Sequence, residues 1–285
     1  MTVIQKNNKP LFSQHYLEHR IQECSEWQFD VTAKFNALLS LYLSKKDLLP
    51  KLSEAQTEEV FIKPALDILG FSNIPQVTTH GKGRAERPDY ALFTNEGDRD
   101  NAYPLQDQET AFYTRVSAIA EAKYWERALS KPSANDQRDI YKNANPSFQI
   151  TNYLVGTGVD WGILTNGREW RLYYRLASST ATEFYQVDLV ELLESQAEDK
   201  LEQFKYFWLF FCSDSFIENP QGRNFLERVR DGSNTYATQV GKELKALVFE
   251  QIFPSIAGGF AATRGGAQEG ILRRDWRPLW HRIPR

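Results

Sequence analysis

Trp161-Gly162-Ile163-Leu164-Thr165-Asn166-Gly167-Arg168-Glu169-Trp170-Arg171-Leu172-Tyr173-Tyr174 reads as two β-rich runs on either side of an Asn-Gly pair. Asn-Gly between such runs is the strongest short-range signal for a type I′ hairpin, whose two turn positions both need positive φ. Upstream, residues 88–93 and 116–124 are short and alternate in polarity, as strands do. Residues 94–114 lie between them. They are polar and acidic, with Gly97, Asp98, Asp100, Pro104 and Asp107, and predict a long loop or an insertion. Residues 130–146 are polar, and a helix is expected from 147 to about 154. The middle of the chain is therefore a mixed α/β region built on a sheet.

Helical periodicity flanks it. Leu17, Ile21, Cys24, Trp27, Val31, Phe35, Leu38, Leu39 and Leu43 recur at three and four, predicting a helix over about 11–49 closed by Pro50. A second helix is expected over 53–69. Ser53 suits its N-cap, Glu54, Glu58 and Glu59 suit the positive end of its dipole, and Gly70 suits its stop. Residues 189–260 again read as helix, with Leu192, Leu193, Leu201, Phe204, Phe207, Phe210, Leu226, Val240, Leu244, Val248 and Ile252. Residues 261–285 differ in kind. They hold six arginines against two acids, a local charge of +4, and three glycines, which predicts a disordered basic tail.

Composition narrows the function classes. The chain has 285 residues, 34 basic and 37 acidic side chains and a net charge of -3, which neither marks a nucleic-acid binder nor argues against one. No apolar run reaches the roughly 20 residues of a membrane helix, so no membrane partner is expected. Cys24 and Cys212 form no CxxC pair and read as thiols in a reducing cytoplasm.

The residues that could carry chemistry sit on the two upstream strands. In Arg87-Pro88-Asp89-Tyr90 a carboxylate stands at a strand start. In Ile119-Ala120-Glu121-Ala122-Lys123 the acid and the lysine are two apart and share a face. Two carboxylates suit a hard cation such as Mg²⁺, which prefers oxygen ligands and keeps several waters. A lysine beside them would orient an attacking water and offset developing charge. The apolar neighbours Ile119, Ala120 and Ala122 argue for a half-buried strand rather than a solvated salt bridge. Lys82, Arg84 and Arg87 form a modest basic cluster just before Asp89, read either as a solvated loop or as a phosphate-contacting one.

Taken with Ser53-Glu54-Ala55, Phe61-Ile62-Lys63-Pro64-Ala65-Leu66, Leu69-Gly70-Phe71 and the run from Thr157 to Gly167, this ordered series resembles a known family. It is similar to the N-terminal PD-(D/E)xK nuclease domain of type IIG restriction-modification enzymes, itself related to the N-terminal nuclease domain of type I restriction subunits. The resemblance covers about residues 53–174. It places the family's aspartate on Asp89, its glutamate on Glu121 and its lysine on Lys123. The helical acid falls on Glu54, with Glu58 as the alternative. The QxxxY element falls on Gln149 and Tyr153, one helical turn apart and on one face. The resemblance implies a restriction-endonuclease-like mixed sheet flanked by helices, and Mg²⁺-dependent cleavage of double-stranded DNA. It divides the chain into a helical N-terminal segment (1–50), a nuclease-like domain (51–188), a helical connector (189–260) and the basic tail (261–285).

In such enzymes the connector leads into an adenine methyltransferase. No Gly-rich S-adenosylmethionine loop with an Asn-Pro-Pro-Tyr/Phe motif occurs here, and Asn145-Pro146-Ser147-Phe148 lacks the second proline. The chain is therefore expected to be the front of a longer enzyme, with a methyltransferase or specificity polypeptide acting in trans or lost downstream. Cutting both strands normally takes two active sites, so a transient dimer is expected of such an enzyme, although no residue marks its interface. The rival expectation is a catalytically silent DNA-binding or subunit-assembly remnant. His15-Tyr16-Leu17-Glu18-His19 fits a zinc-peptidase pattern, but its helix has a bland home on an apolar face. Gly156-Thr157-Gly158 precedes a strand rather than following one, so a dinucleotide site is not expected. There is no phosphate-binding GxxxxGK[ST] loop.

Overall fold

The computed structural model describes residues 10–75, 87–131, 145–177 and 181–256; Lys82, Arg84 and the basic tail 261–285 lie outside them. The N-terminal periodicity marks a buried face, not one continuous helix. Helix α1 (Gln14–His19) is followed by 3₁₀ turns at Ile21–Glu23 and Ser25–Gln28, then by α2 (Thr32–Lys45). Just ahead of α2 the Asp30 carboxylate accepts the Thr32 N–H at 2.9 Å, a local turn of the kind short acids favour. Leu17, Ile21, Trp27, Val31, Phe35 and Leu38 are all buried nonetheless.

The second helix forms as expected. Ser53 and Gln56 make a reciprocal capping box at the start of α3 (Glu54–Thr57). A π-helical turn (Glu58–Ile62) continues it into α4 (Lys63–Ile68). Gly70 ends it at φ +90, where an added Cβ would lie 2.6 Å from Ser213 Oγ.

Then come β1 (Ser72–Pro75) and β2 (Tyr90–Phe93). The segment expected as a long loop or an insertion holds two short helices, α5 (Glu96–Ala102) and α6 (Glu109–Tyr113). Asn95 caps the first by accepting the Asp98 N–H at 2.9 Å. Ala102, Phe112 and Tyr113 bury against the sheet, so tertiary packing overrides a loop-like composition. The rest of the chain is β3 (Ala118–Ala122), α7 (Pro146–Thr157), β4 (Trp161–Thr165), β5 (Glu169–Tyr174), β6 (Tyr185–Asp188), α8 (Leu189–Glu194), α9 (Lys200–Phe211) and α10 (Phe225–Leu247).

The six strands of the described residues lie in sequence order, and every neighbouring pair is antiparallel except the parallel β3–β4, which α7 connects. Alternation along the strands gives two buried faces. Tyr90, Ala120, Ile163, Trp170 and Tyr185 face a core with Phe35 of α2, Leu66 of α4, Leu192 of α8 and Phe207 of α9. Ala91, Ile119, Leu164 and Tyr173 face another with Phe112 of α6 and with Ile150 and Leu154 of α7. The architecture is a mixed α/β sandwich with helices on both faces.

The expected boundaries at 50 and 188 do not divide it. The helices before and after those positions cover one face of the same sheet. The chain instead separates into one compact unit ending at Thr235 and another beginning at Tyr236. Of the second unit, the described residues are helical, with Val240, Leu244, Phe249, Ile252 and Phe253 exposed.

The hairpin is present, but its turn is not type I′. Among the described residues the only non-glycine positions with positive φ are Glu126 and Ala181, so Asn166 does not take the left-handed conformation, and only Gly167 does, at φ +84. Asn166 works through its side chain. Its Oδ1 accepts the N–H groups of Arg168 and Glu169 at 3.0 and 2.7 Å, and its Nδ2 donates to Arg127 O at 2.8 Å. An Asx-type turn replaces the backbone geometry that the dipeptide suggests. Trp161, Trp170, Tyr173 and Tyr174 are buried, as expected of a hairpin core. Among the described residues no helix is long and apolar enough to cross a membrane.

Candidate active site

The antiparallel register of β2 and β3 pairs Tyr90 with Ala120, so its extension by one residue sets Asp89 opposite Glu121. Opposite residues in such a ladder point to the same side. Asp89 is held there by the Ala122 N–H, which donates to its Oδ2 at 2.8 Å. Glu121 is 1% exposed and Lys123 2% exposed. The Lys123 ammonium donates to Glu121 Oε1 at 2.6 Å and lies 3.7 Å from Glu54 Oε1. Glu54 comes from the first turn of α3, pinned by the Ser53 cap. One turn on, Glu58 opens the π-helical turn and accepts a hydrogen bond from Tyr90 Oη at 2.8 Å. A π-helical turn is a frequent mark of a functional site.

From the opposite face α7 brings Gln149 and Tyr153 together, with Gln149 Nε2 donating to Tyr153 Oη at 2.8 Å. The Asn145 cap, with Pro146 at the first helical position, begins this helix, and Gly158 in the left-handed conformation ends it.

Charge is unbalanced at this point. Among the described residues four carboxyls, Glu54, Glu58, Asp89 and Glu121, interact with one ammonium, Lys123. Burial raises the Glu121 carboxyl well above its ordinary range and the Asp89 charge raises it further, against the pull of Lys123. Burial likewise raises Asp89, opposed by Lys123 and by the Ala122 N–H. Glu58 is pushed up to about 7, by burial first and then by Asp89. Burial would strip the proton from Lys123, but the charges of Glu121, Glu54 and Asp89 more than reverse this, so it stays an ammonium. Tyr153 is raised by burial and then by the Glu121 charge, as expected of a hydroxyl close to the carboxylates.

Glu121 Oε2 is buried and has no hydrogen-bond partner, and Gln149 Oε1 is in the same condition. An idle carboxylate oxygen beside a second carboxylate is chemically suited to a hard cation. No group of three or more His, Cys, Asp or Glu side chains among the described residues is arranged as a metal cage.

The residues read from the sequence mostly converge. Asp89, Glu121, Lys123, Glu54, Gln149 and Tyr153 meet in one place, and Glu58 joins them rather than replacing Glu54. Arg87 turns to α6, where its Nη2 lies 3.8 Å from Glu109 Oε1. The Tyr90 hydroxyl was not anticipated, because a tyrosine on a strand reads as core until its partner on another element is known. His15 and His19 lie side by side on α1 with ring centroids 4.4 Å apart and planes tilted by 59°. The chain matches no family model, no curated protein and no solved structure.

Proposed function

We propose that this chain is a Mg²⁺-dependent DNA endonuclease module with a restriction-endonuclease-like core, of the kind that serves restriction-modification systems. One observation carries the reading: two buried carboxyls, Asp89 and Glu121, stand opposite each other on adjacent strands, with Lys123 2.6 Å from one of them. Asp89 and Glu121 would hold the cation, which when bound polarises a phosphodiester and lowers the pKa of a coordinated water. Lys123 orients the attacking water and offsets the negative charge that grows on the phosphate oxygens. Glu54 keeps Lys123 charged and aimed. Gln149 and Tyr153 line the other wall and touch the water or the DNA backbone.

Incubation of supercoiled plasmid with the purified protein and Mg²⁺ tests the reading. The parent protein is expected to nick the DNA, and Lys123→Ala to leave it intact while still melting cooperatively. Lys123→Ala cutting as fast as the parent would overturn the mechanism. A parent that binds plasmid without nicking it at any salt concentration would favour a silent DNA-binding or assembly module.

A further inference from the structure

Ser147, in the first turn of α7, uses every hydrogen-bonding position of its hydroxyl. Its Oγ accepts from Tyr173 Oη at 2.9 Å and from Arg171 Nη1 at 3.1 Å, and donates to Leu129 O at 2.8 Å. Its N–H donates to the same carbonyl at 3.1 Å. Arg171 is itself fixed. Its Nε donates to Gln186 Oε1 at 2.8 Å, its Nη1 to Ser130 Oγ at 2.6 Å, and its guanidinium lies over the Phe184 ring at 4.4 Å. Asn145 adds a bond from its Nδ2 to Ser130 O at 3.2 Å. The start of α7 is thereby tied both to β5 and to the chain that leaves β3 after Lys123. Two residues further along α7 is Gln149, whose Oε1 is buried without a partner.

We infer that Ser147, clamped by Arg171 and Tyr173, is a positioning residue that sets how α7 presents the Gln149 carboxamide and Tyr153 hydroxyl to the Asp89–Glu121 carboxyls. The inference rests on the nuclease reading. The clamp lies on the far side of α7's first turn from the chemistry and touches no carboxyl of the site. It acts only through where it puts Gln149, whose idle oxygen is free to take a hydrogen bond from a water at the scissile phosphate. A polar group displaced by about 1 Å costs on the order of 100-fold in rate.

The test is a double-mutant cycle. Ser147→Ala and Tyr173→Phe are made in the parent and in a Gln149→Ala background. Three quantities are followed: single-turnover plasmid cleavage, Mg²⁺ affinity by calorimetry, and the melting temperature. Ser147→Ala is expected to slow cleavage by roughly 10- to 100-fold in the parent, but by no more than about twofold once Gln149 is gone. Mg²⁺ affinity is expected to hold within about twofold, because neither proposed ligand lies on α7. If Ser147→Ala melts too low to assay, Tyr173→Phe, which keeps the ring and removes one donor, is expected to show a smaller loss with the same dependence on Gln149. Equal losses in both backgrounds, or cleavage and Mg²⁺ affinity falling together, would mean a general loosening and would overturn the inference. A parent that cleaves while both clamp variants keep its rate overturns the inference alone. A parent that never cleaves overturns the nuclease reading as well.

Discussion

Glu58→Gln is expected to flatten the pH dependence of stability of the metal-free protein. In the folded protein the Glu58 carboxyl rises from 4.5 to about 7, through burial and the neighbouring Asp89 charge. Between those pH values the native state holds a proton that the unfolded chain has released. This group's contribution is therefore most favourable below about 4.5 and is lost as pH climbs through about 7. At about 1.4 kcal/mol per pH unit, full ionisation costs roughly 3 kcal/mol, and partial exposure of the side chain trims this to roughly 2–3 kcal/mol. Glutamine keeps an acceptor for the Tyr90 hydroxyl and removes the charge. It also eases ionisation of Asp89, whose charge raises Glu58. Urea unfolding in chelator from pH 5 to 8.5 is the assay. The parent is expected to lose roughly 2–3 kcal/mol more than Glu58→Gln across the range, so that the variant is the more stable protein at pH 8. Parallel curves for parent and variant would show that Glu58 ionises as it does in water, and that the carboxyls do not crowd one another.

Asp89→Asn keeps an oxygen for the Ala122 N–H and removes a proposed ligand. Calorimetry is expected to find Mg²⁺ bound at least about tenfold more weakly, ~1.4 kcal/mol, with plasmid cleavage abolished and the metal-free protein no less stable at pH 8. Gly167→Ala meets two penalties: a left-handed φ of +84, and a Cβ placed 2.8 Å from the Trp125 ring. Together they are expected to lower the urea unfolding free energy by roughly 2–4 kcal/mol; a loss under about 1 kcal/mol would mean that the ring moves aside freely.

Period and spacing carried much of the site. Asp89 and Glu121 were legible because strand alternation is a property of the backbone; Glu54 came only with the family resemblance, the serine cap fixing no more than where its helix starts. Glu58 was legible only as an alternative. At four residues from Glu54 it shares a helical face, but that both acids reach one lysine depends on where the helix docks. Asn166 misled for a specific reason. Asparagine tolerates left-handed φ and also mimics backbone with its side chain, and only the buried Arg127 carbonyl decides between the two. The helices at 94–114 were hidden because Phe112 and Tyr113 gain their stability from the sheet, not from local propensity. Phe207 and Leu192 likewise read as a separate helical array from sequence, because their packing against Trp170 and Tyr185 is not a local signal.

The chain just past Lys123 is bolted down. The Lys123 N–H donates to Thr165 O at 2.8 Å, Trp125 wedges between Phe61 and the bare backbone of Gly167, and Arg127 O is taken by Asn166. An ammonium mounted on such an anvil is held where it meets Glu121 and Glu54; on the proposed nuclease reading the phosphate has to come to it, and duplexes that bend or fray easily are expected to be cut faster than stiff ones.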